Sequence, residues 1–214
     1  MPARENILAR IRSANNARAL GDKPAKVADR LARHPRGPMP KMEWDPLQRF
    51  KDCSLAAAST LDEVKSLAEV PQAIARYIKE RDLPVNGVCW PELGDLDWSG
   101  AGLRMEPRAA SGDDMVGVTG VYCGLAETGT LVLLSGENQH TTTSLLPETH
   151  IAVVPVSRIV ASMEDVWGLL RSESGHLPRQ INFVSGPSRT ADIEMTLVYG
   201  AHGPFRVHVV LVDE

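Results

Sequence analysis

No apolar run in this 214-residue chain approaches the ~20 residues that a membrane-spanning helix needs. The first residues also lack the apolar core of a secretory signal, so a soluble, cytoplasmic protein is expected. Cysteine is scarce: Cys53, Cys89 and Cys123 are odd in number, far apart and never in a C-x-x-C pair. That spacing excludes a sequence-local zinc ribbon or iron–sulfur motif, disfavours a disulfide framework and fits reduced, buried thiols. Aromatic residues make up only 5%, so the core must rest on Val, Leu, Ile and Ala. G-x-G-x-x-G, the P-loop, G-x-S-x-G and H-E-x-x-H are all missing. The routes to nucleotide binding, serine hydrolysis and helical zinc sites that depend on them have no support in the sequence.

The charge that is present is unevenly placed. The chain carries 23 Lys/Arg and 27 Asp/Glu for a net of -4, which disfavours nucleic acid as the main partner. Residues 1–41 nevertheless hold ten basic and three acidic side chains, leaving the remainder strongly acidic. Residues 3–20 read as a helix with Ile7, Leu8, Ile11 and Leu20 roughly on one side. Four prolines between 35 and 46 disfavour helix, so 21–44 reads as an extended basic arm, and the organisation expected is an arm over 1–44 and a domain over 45–214. Asp45-Pro46 is a helix start, a cap followed by proline in the first turn, leading into Leu47, Phe50 and Leu55.

Beyond it the pattern alternates between strands and helices. Strands are expected at 60–65, 87–90 and 103–106, and a helix over 71–81 with Ile74, Tyr77 and Ile78 inward. Thr130–Leu134 and Ile151–Val154 are continuous apolar runs, as in parallel strands covered on both faces. A helix over 162–172, between the strand at Ile151 and the one at Ile181, predicts a βαβ unit, and Val207–Val212 is the last strand. The class expected is α/β with helices on both faces of the sheet.

Three clusters carry candidate chemistry. Glu127-Thr128-Gly129-Thr130 places a carboxylate and two hydroxyls at a tight turn, where Glu127 is a candidate base or nucleophile; the same residues also suit a plain hairpin turn. Ser185-Gly186-Pro187-Ser188-Arg189-Thr190 offers hydroxyls, backbone N–H groups and a guanidinium for a polar or anionic ligand. A helix starting at Ser188 or Thr190 would carry Asp192 and Glu194 in its first turn, acids that suit the helix dipole but compete with a bound anion. His202, set between glycines in Gly200-Ala-His-Gly-Pro204, is the histidine most open to a functional role, and a satisfied structural histidine is the default for the others.

Through Glu127-Thr-Gly-Thr130, Ser144-Leu-Leu-Pro-Glu-Thr-His-Ile-Ala-Val-Val154, Ser185-Gly-Pro-Ser-Arg-Thr-Ala-Asp-Ile-Glu194 and Gly200-Ala-His-Gly-Pro204, the chain resembles the lactate utilization protein C family of LUD-domain proteins. The resemblance covers roughly 45–213 and is densest from Asp113 onward. It implies the fold of the NagB/RpiA/CoA-transferase-like group, a three-layer α/β/α arrangement about a mostly parallel sheet. It implies a non-redox role in oxidising L-lactate to pyruvate, alongside partner proteins that carry iron–sulfur clusters, with no cofactor bound by this chain. Whether the chain itself is catalytic is left open. The alternatives are an acyl-CoA- or sugar-phosphate-type enzyme using Glu127 as nucleophile, and a ligand-binding regulatory sensor. Ser135-Gly-Glu-Asn138 does not reproduce the Ser-Glu-Asn-Gly order associated with CoA transferases, which weakens the first of these.

Overall fold

The computed structural model describes residues 2–17, 23–191 and 196–213, and the chain divides into two compact units, 1–41 and 42–214. The first unit holds helices α1 (Pro2–Ala17) and α2 (Lys23–Arg33). The second of these corrects the expected extended arm. Lys, Ala and Arg between the prolines are good helix formers, and Asp29 pairs with Arg33 one turn on. Leu20 lies outside the described residues. Ile7, Ile11, Val27 and Leu31 are all exposed.

In the second unit the helices are α3 (Pro46–Ala56), α4 (Val70–Glu80), the single turn α5 (Thr142–Leu145) and α6 (Met163–Glu173). The strands are β1 (Thr60–Val64), β2 (Asn86–Cys89), β3 (Arg104–Pro107), β4 (Val116–Thr119), β5 (Cys123–Leu125) and β6 (Thr130–Leu134). They continue with β7 (Thr149–Pro155), β8 (Ile159–Val160), β9 (Ile181–Val184), β10 (Arg189–Thr190), β11 (Val198–Tyr199) and β12 (Arg206–Val212). The expected helix start at Asp45 carries its cap, and α6 is capped as well. Asp45 accepts from the Gln48 N–H at 2.8 Å, and Ser162 and Asp165 form a reciprocal capping box.

The central sheet runs β1-β12-β7-β4-β2-β3 and every pairing in it is parallel. Alternation along its strands sorts the side chains into two cores. Val210, Val212, Ile151 and Val153 face α4, where Ile74, Tyr77 and Ile78 are buried. Val207, Val209, Leu211, Ala152 and Val154 face Phe50 of α3 together with Leu131 and Leu133 of a second sheet. That sheet, β8-β5-β6-β9, is largely antiparallel, and α6 covers its outer side through Val166 against Cys123, Leu125 and Val132. The α/β class and mostly parallel central sheet are as expected, and the second sheet adds a layer beside α3.

Two local expectations change. The run Thr130–Leu134 is apolar on both faces because its sheet is sandwiched between the central sheet and α6, and it pairs antiparallel with β5 and β9. For the same reason β7, α6 and β9 form no βαβ unit, since β7 and β9 belong to different sheets. α3 turns the Leu47, Phe50 and Ser54 side of its surface toward the core and leaves Leu55 exposed. No described helix is long and apolar enough to cross a membrane.

Candidate functional site

Chain positions 127–130, 185–190 and 200–204 are far apart in sequence, and the fold brings them to one place. They meet around the C-terminal end of α3 and the start of β12, at the edge where the parallel strands begin. Glu127-Thr-Gly-Thr130 makes the β5–β6 hairpin turn, so the plain turn reading holds for its backbone. Glu127 is half-buried rather than freely solvated, and its Oε2 accepts from the Met163 N–H at 3.5 Å, at the positive end of α6. Its carbonyl oxygen receives the Cys53 thiol at 3.6 Å and the Arg49 guanidinium at 3.5 Å.

The hydroxyls form a row. Thr128 Oγ1 lies 2.7 Å from Thr130 Oγ1, which lies 2.6 Å from Ser185 Oγ. Thr130 is buried, whereas Thr128 and Ser185 are exposed, so the row opens to solvent at both ends. Gly129 and Gly186 both have positive φ, at 64° and 78°, and each lies against α3: Gly129 on Cys53 and Ser54, Gly186 on Ala57. Ser54 also donates to the Gly129 carbonyl at 3.3 Å.

The segment after Gly186 differs from expectation. Instead of starting a helix, Arg189 and Thr190 form a two-stranded ribbon with Val198 and Tyr199. Ser188 fixes the ribbon to the glycine-rich loop: its N–H donates to Pro204 O at 2.9 Å, its carbonyl accepts from Gly200 N–H at 3.0 Å, and its hydroxyl accepts from the His202 N–H at 3.3 Å. Arg189 donates to the Ala57 carbonyl just past α3, where a cation complements the negative helix end, and sits 5.8 Å over the Tyr199 ring. The Thr190 side chain is buried and the His202 side chain is exposed. Asp192 and Glu194 lie outside the described residues.

A second place, at the opposite edge of the sheet, was not singled out from the sequence. β2 and β4 are neighbours, and the chain leaves them in opposite directions, from β2 to β3 at one edge and from β4 through β7 to β12 toward the other. The crevice beyond the carboxyl ends of such a strand pair is where open α/β sheets bind ligands. A cleft of about 370 Å³ lies there. Trp90 and Glu92 line it from just after β2, Val121 and Tyr122 from just after β4, and Ser135, Gln139 and His176 from the loops of the second sheet. Trp90 is buried and donates its indole N–H to the His140 carbonyl at 3.1 Å. Gln139 Nε2 donates to Glu92 Oε2 at 3.3 Å. Glu92 Oε1 occupies the space that a Cβ at residue 120 would take, so Gly120 makes room for the carboxylate. Glycine followed by Val121-Tyr122 after an apolar strand was the available signal, but only the parallel pairing of β2 with β4 brings it to Glu92.

The titratable groups around the second sheet are set by burial and by one ion pair. Arg158 binds Glu173 through Nη1 and Nη2, at 2.7 and 3.0 Å, and its Nε donates to the Tyr122 carbonyl at 2.9 Å. The Tyr122 hydroxyl lies beside Glu173 without hydrogen-bond geometry to it, and burial first, then that carboxylate, pushes it up to about 12. Burial raises the Cys89 thiol to about 11 and Cys123 to about 12, which keeps both protonated and poorly reactive at neutral pH. Among the described residues no group of three or more His, Cys, Asp or Glu is placed to hold a metal ion.

The same chain is similar to known proteins. Lactate utilization protein C of Halalkalibacterium halodurans is 45% identical over 116 residues, covering 53% of this chain and 50% of that protein. The protein of that name from Bacillus subtilis is 38% identical over 129 residues, covering 58% and 54%. The chain thus spans about half the length of the curated relatives it matches. Among solved structures, a DUF162 family protein from Deinococcus radiodurans superposes with a TM-score of 0.58 at 23% identity, over 82% of this chain and all of the other, a likeness of fold. Residues 47–212, which include both sheets, the loop convergence and the cleft, match the LUD domain, and the chain belongs to the LUD domain family.

Proposed function

We propose that this chain is a non-redox component of a cytoplasmic L-lactate oxidation system, acting with partner proteins that carry the iron–sulfur clusters. The observation that carries this reading is the 34–45% identity to proteins named lactate utilization protein C. The cysteines support the division of labour. Cys53, Cys89 and Cys123 are separate thiols, two of them buried with raised pKa, and they offer no shared ligand set for a cluster.

The ligand is a small carboxylate or polar molecule, received where the three loops converge. Thr128, Ser185 and His202 present polar groups to solvent there, and the Thr128–Thr130–Ser185 row can pass a hydrogen bond from a buried hydroxyl to a bound oxygen. Glu127 holds α6 and Arg189 holds α3, so in this reading both position the loops.

Docking is assigned to the first unit. Ile7 with Ile11 and Val27 with Leu31 are exposed pairs spaced one helical turn apart, and residues 1–41 are strongly basic. Apolar pairs flanked by Lys and Arg suit an acidic protein surface. Co-expression with the iron–sulfur partners should give a complex stable to size exclusion. Removing residues 1–41 is expected to weaken it at least tenfold while leaving the LUD domain folded by circular dichroism. Separate elution of the full-length chain under all salt conditions contradicts the assembly reading.

A further inference from the structure

The cleft between the ends of β2 and β4 stands apart from the loop convergence. β6 runs from Thr130 in one to Leu134 beside the other, four residues or about 13 Å of strand. Its chemistry also differs. Among the described residues no Lys or Arg lines the cleft, and the nearby Arg158 is held by Glu173. Glu92 brings a carboxylate to the cleft, steadied on one oxygen by Gln139, and His176 and Tyr122 are the other titratable side chains of its described lining. A carboxylate or phosphate ligand would meet repulsion there. A ligand that donates hydrogen bonds would find an acceptor in Glu92, and Trp90, Val121 and Leu134 supply apolar lining.

We propose that this cleft is a second ligand site, which takes a neutral ring bearing a vicinal diol, with the diol on the Glu92 carboxylate and the ring against the apolar lining. An acidic side chain beyond the carboxyl end of a parallel strand is a common acceptor for the two adjacent hydroxyls of a ribose. A volume of about 370 Å³ admits a nucleoside or a single sugar ring. Gly120 is then a specificity feature, because a side chain there would push the carboxylate out of its seat. This inference does not depend on the lactate reading, and its probes contain no carboxylate.

The test is NMR titration of the full chain with adenosine, 2′-deoxyadenosine and glucose. Adenosine or glucose at millimolar concentration should shift the Trp90 indole N–H and the Gln139 side-chain amide saturably, and which of them does so names the source of the diol. Where adenosine binds, its 2′-deoxy analogue should bind about tenfold more weakly, and Glu92→Gln should weaken either ligand by about tenfold. Glu92 is exposed and its replacement leaves the core untouched, so a folding defect does not confound the result. Gly120→Ala is expected to reproduce the loss, whereas Ser188→Ala at the loop convergence is expected to leave diol binding unchanged. Absence of saturable shifts with both adenosine and glucose overturns the proposal, as does binding that Glu92→Gln leaves intact.

Discussion

Lowering the pH from 6.5 to 4 is expected to destabilise the LUD domain by roughly 6 kcal/mol, about 3 kcal/mol from each of two buried histidines. His150 lies in β7 with Nε2 2.8 Å from Thr119 Oγ1, and His208 lies in β12 with Nδ1 2.8 Å from Thr60 Oγ1 and its ring stacked on Tyr77. The other ring nitrogen of each, His150 Nδ1 and His208 Nε2, is buried without a hydrogen-bond partner among the described residues. A proton added to either ring therefore puts a charge where nothing solvates it. Burial lowers both to about 4, with Arg81 adding to the effect at His208.

The sign follows from proton uptake. Between pH 6.5 and 4 the unfolded chain binds protons on these histidines and the folded chain does not, so stability is full above about 6.5 and falls as the pH drops. Below about 4 both states are protonated and these two groups add no further loss. Asp114, held down to about 2 chiefly by its hydrogen bonds from Arg108, adds a smaller loss in more acid solution. Against a total stability of order 5–15 kcal/mol, the histidine contribution removes a large share of the folding margin by pH 4. Urea unfolding at a series of pH values measures this directly, and His208→Gln should roughly halve the slope between 6.5 and 4. A urea midpoint that stays flat across that interval would show that the imidazoles are already charged or hydrated in the folded state.

Gly129→Ala and Gly186→Ala are each expected to cost about 2–5 kcal/mol, combining the strain of a positive φ with backbone overlap. A Cβ at 129 would lie 2.6 Å from the Cys53 carbonyl carbon and would also overlap the Ser54 nitrogen. At 186 it would overlap the Ala57 carbonyl oxygen, the same oxygen that receives Arg189. Neither obstacle is a side chain that can swing away, so α3 must shift from its seat on the second sheet. Gly168→Ala is the internal contrast: nothing lies within 4 Å of a Cβ there, and alanine in α6 is expected to stabilise by up to about 1 kcal/mol. Thermal melts of the three variants read the difference. Equal melting temperatures for Gly129→Ala and the unsubstituted protein would contradict the packing of α3 described above.

Much of this was legible in the sequence because it rests on local chemistry. The cap at Asp45, the span of α6 and the inward face of α4 follow from spacing and residue type alone. What escaped rests on long-range pairing. Apolarity on both faces of Thr130–Leu134 indicates double burial but not the direction of the neighbouring strands, and only tertiary packing places that run in a second sheet. Hydroxyls after a Gly-Pro turn suit a helix cap, yet Ser188 instead spends its backbone groups on Pro204 and Gly200, which makes a ribbon. The family motifs pointed to residues that do converge. Glu92 carried no local signal, since a lone glutamate after Trp-Pro gains meaning only when β4 pairs with β2 and brings Gly120 beside it.

The most direct measurement of the central reading is L-lactate consumption by cells that lack this chain but retain the iron–sulfur partners. Lactate oxidation should be lost on deletion, restored by the full chain, and restored poorly by a chain in which Thr128, Thr130 and Ser185 are all alanine. Lactate oxidation at an undiminished rate without the chain would contradict its assignment to lactate utilization.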